Sequence, residues 1–255
     1  MPFLLKALIL LFVGVIAGVI NSVAGGGTLL SFPTLIFTGV PAIIANATNT
    51  IALQVGTLAS FVSYRREFAS QKRLAWRLAP PSLLGGLVGA ILLLRTSETY
   101  FRHIIPYLIL FATILFTFQP FVSRLLQIEA QAAAKSRHAL AAAIFFVFCV
   151  GIYGGYFGAG IGILMLAALG VLVHGDIHEM NSLKVLLSSL MNGVAGIYFI
   201  AHGSVMWTDA ILLATGALAG GYTGPILARR VGAKIVRGVV TFVGFAMGVY
   251  FLVRR

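Results

Sequence analysis

Charge is what this sequence has least of. Only 9% of its 255 residues are charged, and six are acidic. A soluble chain of this length needs far more ionic surface to stay dispersed, so a water-soluble globular protein is excluded. There is one cysteine, Cys149, which rules out an intrachain disulfide framework and a cysteine-ligated metal centre. No carboxylate cluster takes its place, so no metal, no cofactor and no enzymatic centre is expected. Acidic residues are also missing from mid-membrane positions, and a proton relay of Asp and Glu is therefore not supported.

What is present in excess is apolar: 60% of the residues, with a mean hydropathy of +1.02. Ten apolar segments can be read, at about 3–22, 28–40, 45–64, 78–95, 102–122, 138–156, 161–174, 180–201, 208–228 and 235–253. Most approach the roughly 20 residues that a spanning helix needs. The second and seventh are too short for an upright crossing and either tilt or re-enter. The reading is an all-α, polytopic membrane protein embedded in a lipid bilayer. The first 22 residues resemble a signal peptide, but the same pattern recurs mid-chain, so they are read as a membrane segment.

The net charge of +12 would suggest nucleic acid in a soluble protein. Here the basic residues are scattered between apolar segments without a contiguous groove or interleaved aromatics, so no nucleic-acid partner is expected. They set orientation instead. Arg65, Arg66, Lys72, Arg73, Arg77, Arg124, Lys135, Arg137, Arg229, Arg230, Lys234 and Arg237 follow odd-numbered segments. Lys6, Arg95, Arg102, Arg254 and Arg255 follow even ones or lie at the ends. By the positive-inside rule the odd loops are cytoplasmic and both termini are outside.

The chain also says one thing twice. A shift of 135 places Ala24-Gly25-Gly26-Gly27 on Ala159-Gly160-Ile161-Gly162, Asn46 on Asn181 and Asn49 on Lys184. Each copy is a long apolar segment, a glycine break, a short segment, then a helix with Asn near its start. Residues 1–128 are expected to form one membrane repeat and 138–255 the second, with an odd number of crossings in each, hence inverted. A glycine break at membrane depth must line protein or a watery cavity, because lipid cannot satisfy its backbone. Short interrupted segments matched in two halves are the best sequence pointer to a transporter's binding site.

The candidate substrate-binding residues follow from that pattern. Gly25, Gly26, Gly27 and Thr28 in the first break, with Asn21 ahead of them, and Gly160 and Gly162 in the second would present N–H groups and helix dipoles to an anion. Close helix packing by small residues is the competing explanation. Lys184 is a cation within a membrane segment, and Asn181, Ser188 and Asn192 share its helical face. Snorkelling of Lys184 to the interface is the alternative. Asn46, Thr48 and Asn49, with Thr50, Thr57 and Ser60, form the mirror stripe. His174, Asp176, His178 and Glu179 read as loop residues, Cys149 as core, and Trp76 and Trp207 as interface anchors.

The run from Ala24 to Leu35 followed by Ala45-Asn46-Ala47-Thr48-Asn49 resembles the first signature of the sulfite exporter TauE/SafE family. Asn181 to Asn192, then Trp207 and the run from Gly220 to Arg230, is similar to the second. The resemblance covers essentially the whole chain. It implies a multi-pass permease of a bacterial-type inner membrane for small anions such as sulfite, thiosulfate-like species and organosulfonates such as sulfoacetate. Many members carry a Gly-Thr-Ser type motif where this chain has Asn181-Ser182-Leu183 and Lys184, which is expected to alter anion preference. The expectation is an anion held between the two breaks by backbone N–H groups, Asn46, Asn49, Asn181 and Lys184, with one half rocking against the other. An anion channel and a membrane partner of a sulfur-metabolising system are the alternatives, and homodimerisation is left open.

Overall fold

The computed structural model describes residues 2–23, 26–63, 65–129, 137–170, 177–231 and 233–254. They form ten helices: α1 (Phe3–Val23), α2 (Thr28–Phe37), α3 (Ala42–Ser63), α4 (Arg65–Arg95), α5 (Glu98–Glu129), α6 (Arg137–Tyr156), α7 (Ile161–Gly170), α8 (Ile177–Ala201), α9 (Trp207–Val231) and α10 (Ala233–Val253). Among the described residues, four stretches are long and apolar enough to cross a membrane by themselves: Phe3–Asn21, Gln71–Arg95, Glu98–Phe118 and Glu179–Ala201. Large apolar side chains face outward along them, Leu4, Leu8 and Phe12 on α1 and Phe111, Ile114 and Phe118 on α5. In water such a surface would aggregate; in a bilayer it is the solvated one. The molecule is an all-helical, polytopic membrane protein.

The segments stand where the apolar runs put them, with one correction. Residues 65–77, expected as a loop, are the first turns of α4, so Arg65, Arg66, Lys72, Arg73 and Arg77 ride on a helix that continues into the membrane. Charged residues hide a helix from hydropathy without preventing it, since Arg, Lys, Glu and Gln are good helix formers. The polar stretch after 122 begins the same way, as the end of α5 through Glu129.

The closest packing is between α1 and α9, then between α4 and α6 and between α4 and α8. Glycines permit it. A Cβ placed on Gly14 would lie 3.1 Å from the Gly216 Cα, and one on Gly151 would lie 3.0 Å from the Gly85 Cα. Further along, Gly220 meets the Val15 carbonyl and Gly89 the Ile152 carbonyl. Four Gly-x-x-x-Gly pairs, Gly14 with Gly18, Gly85 with Gly89, Gly151 with Gly155 and Gly216 with Gly220, let two pairs of backbones touch. The spacing of four in each pair is visible in the sequence itself.

Contacts fix the relative direction of the helices. Lys6 with Asp209, Gly14 with Gly216 and Gly18 with Ala217 ascend together, so α1 and α9 are parallel. Ser82 with Leu187 and Gly86 with Met191 make α4 and α8 parallel. Ile51 with Gly196 and Gln54 with Ser189 make α3 and α8 antiparallel. Thr117 with Thr241 and Leu110 with Gly248 do the same for α5 and α10. The Glu98 carboxylate at the start of α5 accepts the Ala42 and Ile43 N–H groups at the start of α3. A pocket of about 520 Å³ between the end of α2 and the starts of α3 and α5 is also lined by Tyr250, Phe251 and Arg254 at the end of α10. The starts of α1, α3, α5 and α9 and the end of α10 therefore share one face.

The buried apolar residues form two main clusters. One is centred on α1, α2, α3 and α5, with Phe32, Phe101, Ile109 and Phe116 fully buried. The other joins α4, α6, α7 and α8 through Leu78, Val147, Met165, Leu183 and Met191.

Candidate functional site

Both breaks lead into helices of ten residues, α2 and α7. At about 1.5 Å per residue each is roughly 15 Å long, half the apolar thickness of a bilayer. They lie against the same face of α5, one turn apart. The Phe116 ring covers Gly26, where a Cβ would come 2.6 Å from its Cε2 atom, and Ala112 packs on Gly160. The Phe32 ring of α2 meets Phe157 of the second break edge-on, with centroids 5.3 Å apart. The two interrupted segments are thereby brought to one region of the molecule.

The first break is stitched up by its own polar side chains. Asn21, in the last turn of α1, accepts the Gly27 N–H at 3.1 Å through Oδ1. The Leu29 N–H turns back to the Gly26 carbonyl, and those of Leu30 and Ser31 to Gly27, so most donors at the start of α2 are already used. Asn49 on α3 donates to the Thr28 hydroxyl at 3.3 Å, and its Oδ1 accepts from the Ser31 hydroxyl. Asn21, Gly27, Thr28 and Asn49 thus form one network, joined by Ser31, which sequence reasoning passed over. Gly25 lies outside the described residues.

The second break is more open. Gly158 and Gly160 take the left-handed backbone, at φ +80° and +75°, which costs glycine nothing. The Tyr153 hydroxyl donates to the Ala159 carbonyl at 2.7 Å and anchors the turn. Among the described residues no backbone carbonyl takes the N–H of Ile161 or Gly162 at the start of α7. Lys184 lies alongside, its Cδ 3.5 Å from where a Gly162 Cβ would be. Its ammonium donates to Asn181 Oδ1 at 2.8 Å. Because α8 begins at Ile177, Lys184 is its eighth residue, three places further from the helix start than the apolar pattern suggested.

Asn46 joins the two halves. Its Nδ2 donates to the Tyr156 carbonyl, the last of α6, at 2.9 Å. That carbonyl fixes which end of the amide faces it, so the opposite atom, Oδ1, is buried and has no partner among the described residues. Thr48 points elsewhere: its hydroxyl accepts the Met206 N–H at 3.0 Å, tying α3 to the turn before α9. Among the described residues the buried Asn192 Oδ1 has no partner, nor has the Ser188 hydroxyl one turn earlier. The structure thus sets Lys184, bonded to Asn181, beside Gly162 and after Gly160 at the start of α7, keeps Asn46 at the neighbouring helix end, and places Thr48 apart.

Sequence reasoning missed Gln54, which donates from Nε2 to the Ser189 carbonyl at 2.9 Å and to its hydroxyl at 3.0 Å. It continues the Asn46 and Thr50 stripe at helical spacing, the one signal that could have found it. It also missed the ion pair between Lys6 Nζ and Asp209 Oδ2 at 2.6 Å, with Asp209 buried. Glu179 accepts from Gln71 at 2.8 Å. His174 and Asp176 lie outside the described residues, and so do the side chains of His178 and Ser60. Cys149, expected in the core, is exposed on the outer surface of α6. Among the described residues no group of three His, Cys, Asp or Glu side chains could hold a metal ion.

A family profile described as "Sulfite exporter TauE/SafE" matches residues 10–251. The chain is 26% identical over 239 residues to a "Probable membrane transporter protein" of Haemophilus influenzae, covering 94% of this chain and 91% of that one. It is 26% identical over 245 residues to the Escherichia coli "Probable membrane transporter protein YfcA", covering 96% and 88%. A Sinorhizobium "Probable membrane transporter protein ORF9" is 26% identical over 242 residues, covering 93% and 88%. No solved structure matches.

Proposed function

The chain belongs to the sulfite exporter TauE/SafE family of membrane transporters, and we propose that it is a permease for a small anion of the sulfur oxyanion or organosulfonate class. The observation that carries this reading is Lys184 beside Gly162. A cation in the third turn of α8 adjoins N–H groups, at the start of a half-length helix, that no backbone carbonyl of the described residues takes. Charge, dipole and donors there all favour a negative ligand. Asn46 stands at the neighbouring helix end as a positioning contact. The first break, most of whose donors are occupied, acts as a wall.

We further propose that the halves are inverted copies. Three features support this: α3 lies antiparallel to α8, α5 lies antiparallel to α10, and the α1–α9 contact recurs as α6–α4. Gly14 on Gly216 corresponds to Gly151 on Gly85, and Val15 on Gly220 to Ile152 on Gly89. Because the tightest contacts cross between the two copies, we propose that the moving bodies are α1 with α3 and α9 and, equivalently, α6 with α8 and α4. Rocking between them alternates access to the site. The face bearing both chain ends is outside, because the opposite one carries most of the arginine and lysine residues.

The test is flux of labelled sulfite, thiosulfate and sulfoacetate into proteoliposomes, with wild type and Lys184→Ala side by side. The reading predicts saturable flux of at least one anion and its loss in the variant. Linear, unsaturable conductance would favour an anion channel, and equal flux in both proteins would remove Lys184 from the site.

A further inference from the structure

We propose that the pocket between the end of α2 and the starts of α3 and α5 binds the headgroup of an anionic phospholipid, held by Arg102 and Arg254. Four helices begin or end beside it: α2 ends at Phe37, α3 begins at Ala42, α5 at Glu98, and α10 ends at Val253. Helix ends gathered in this way mark a boundary of the membrane, where headgroups lie. The lining is of two kinds. Phe37, Ile105 and Phe251 make an apolar wall, and Arg102, His103 and Arg254 a basic one. Among the described residues no carboxylate lines the pocket.

Both guanidinium groups keep donors for a ligand. Arg102 gives its Nε to Glu98 Oε1 at 2.9 Å, and its two terminal nitrogens have no partner among the described residues. The same carboxylate also accepts the Ala42 and Ile43 N–H groups, so its charge is shared with the start of α3. Arg254 pairs with no carboxylate among the described residues. It lies over the Tyr250 ring, 5.3 Å from the centroid, and donates to the Tyr250 hydroxyl through one Nη. The planar guanidinium fork matches the oxygens of a phosphate, two at a time. Two forks on one pocket make a phosphate the ligand that their charge and shape fit best.

The apolar wall decides between a lipid and a small free anion. A pocket of about 520 Å³ suits a ligand with a sizeable apolar body. A three- or four-oxygen anion would leave Phe37, Ile105 and Phe251 uncovered. An acyl chain has somewhere to go: on α5 the exposed side chains Tyr107, Phe111 and Ile114 continue at helical spacing below His103. Snorkelling of arginines at helix ends is commonplace, but it requires no pocket between them. Basic pockets between membrane helices hold lipid phosphates in this manner. Because α2 starts at the first break, the occupant grips the far end of that half-length helix. The inference needs neither the anion reading nor a choice of which face is outside.

Native mass spectrometry of the delipidated, full-length protein in a neutral detergent tests it. The protein is titrated with phosphatidylglycerol, with phosphatidylcholine of the same chains, and with inorganic phosphate, and the bound molecules are counted. One phosphatidylglycerol is expected to be retained at least about tenfold more tightly than phosphatidylcholine, with inorganic phosphate failing to displace it. Arg102→Ala and Arg254→Ala should each weaken retention by about tenfold, the worth of one charged hydrogen bond. Arg254→Lys, which keeps the charge and loses the fork, should fall between wild type and Arg254→Ala. Arg73→Ala, an exposed arginine outside the pocket, should match wild type. Equal retention of the two lipids overturns the proposal, and so does wild-type retention in both alanine variants. Displacement by inorganic phosphate would make the pocket a small-anion site and overturn it as well. Anion flux through Lys184 is measured separately, so the two readings can fail independently.

Discussion

Gln54 donates to Ser189 across the α3–α8 contact, and the two residues stand 135 apart, at the same place in the two copies. In the proposed inverted repeat, equivalent residues can touch only on the two-fold axis. Thr113 and Gly244 form a second such contact between α5 and α10. They stand 131 apart, the spacing that also takes Gly85 to Gly216 and Gly89 to Gly220. In that proposal an axis through both contacts would lie in the membrane plane and would set the region between the breaks at mid-depth.

A crosslink checks the first of these. With Cys149 replaced by serine, Gln54→Cys paired with Ser189→Cys should join the halves under mild oxidation or with mercuric ion. A protease site introduced between residues 130 and 136 would then leave one band on a non-reducing gel. Gln54→Cys with Ser182→Cys, two turns away on α8, should leave two.

The glycine contacts predict sharp position dependence. Gly220→Val and Gly89→Val drive a branched side chain into the Val15 and Ile152 carbonyls. Overpacking of this kind costs about 1–3 kcal/mol and more when backbone must move, so lower melting temperatures in detergent are expected for both. Gly221→Ala, with nothing within 4 Å of its Cβ position, should match wild type.

Lys6 and Asp209 predict a rescue. Removing one partner of a buried pair strands the other and costs roughly 3–5 kcal/mol, whereas apolar replacement of both is often neutral. The corresponding positions in the α6–α4 contact hold Ala143 and Leu78, both buried. Lys6→Ala should therefore destabilise, and Lys6→Ala with Asp209→Leu should recover most of the loss, as read by thermal unfolding monitored by fluorescence.

Much of this was legible from residue order alone. Ten segments and two short helices followed from glycine runs set between apolar runs, because lipid tolerates no other backbone. The charged start of α4 was not legible as helix, since Arg65 to Arg77 lower hydropathy whatever their conformation. Asn46, Asn181 and Lys184 stood out by their cost in a membrane, but spacing cannot say which amides are already bonded. Asn21 and Asn49 turn inward to the first break, Thr48 to Met206. Lys6 and Asp209 are separated by almost the whole chain, and only the fold brings them together.

Lys184 also predicts a graded series. Lys184→Arg keeps the charge and should keep anion binding, with altered preference. Lys184→Ala should lower affinity by about ten- to a hundredfold, the worth of one charged contact. Both are read from the concentration dependence of flux.

Alternating access around the second break is the claim on which the rest depends, and one measurement meets it directly. A Cβ on Gly162 has ordinary room beside Lys184, so Gly162→Cys in a protein with Cys149→Ser places a thiol at the start of α7. Its modification by a membrane-impermeant thiol reagent is followed from each side of sealed proteoliposomes, with and without the transported anion. The account predicts reaction from both sides, slowed from both by the anion. Reaction from one side only, or rates that no anion changes, would contradict it.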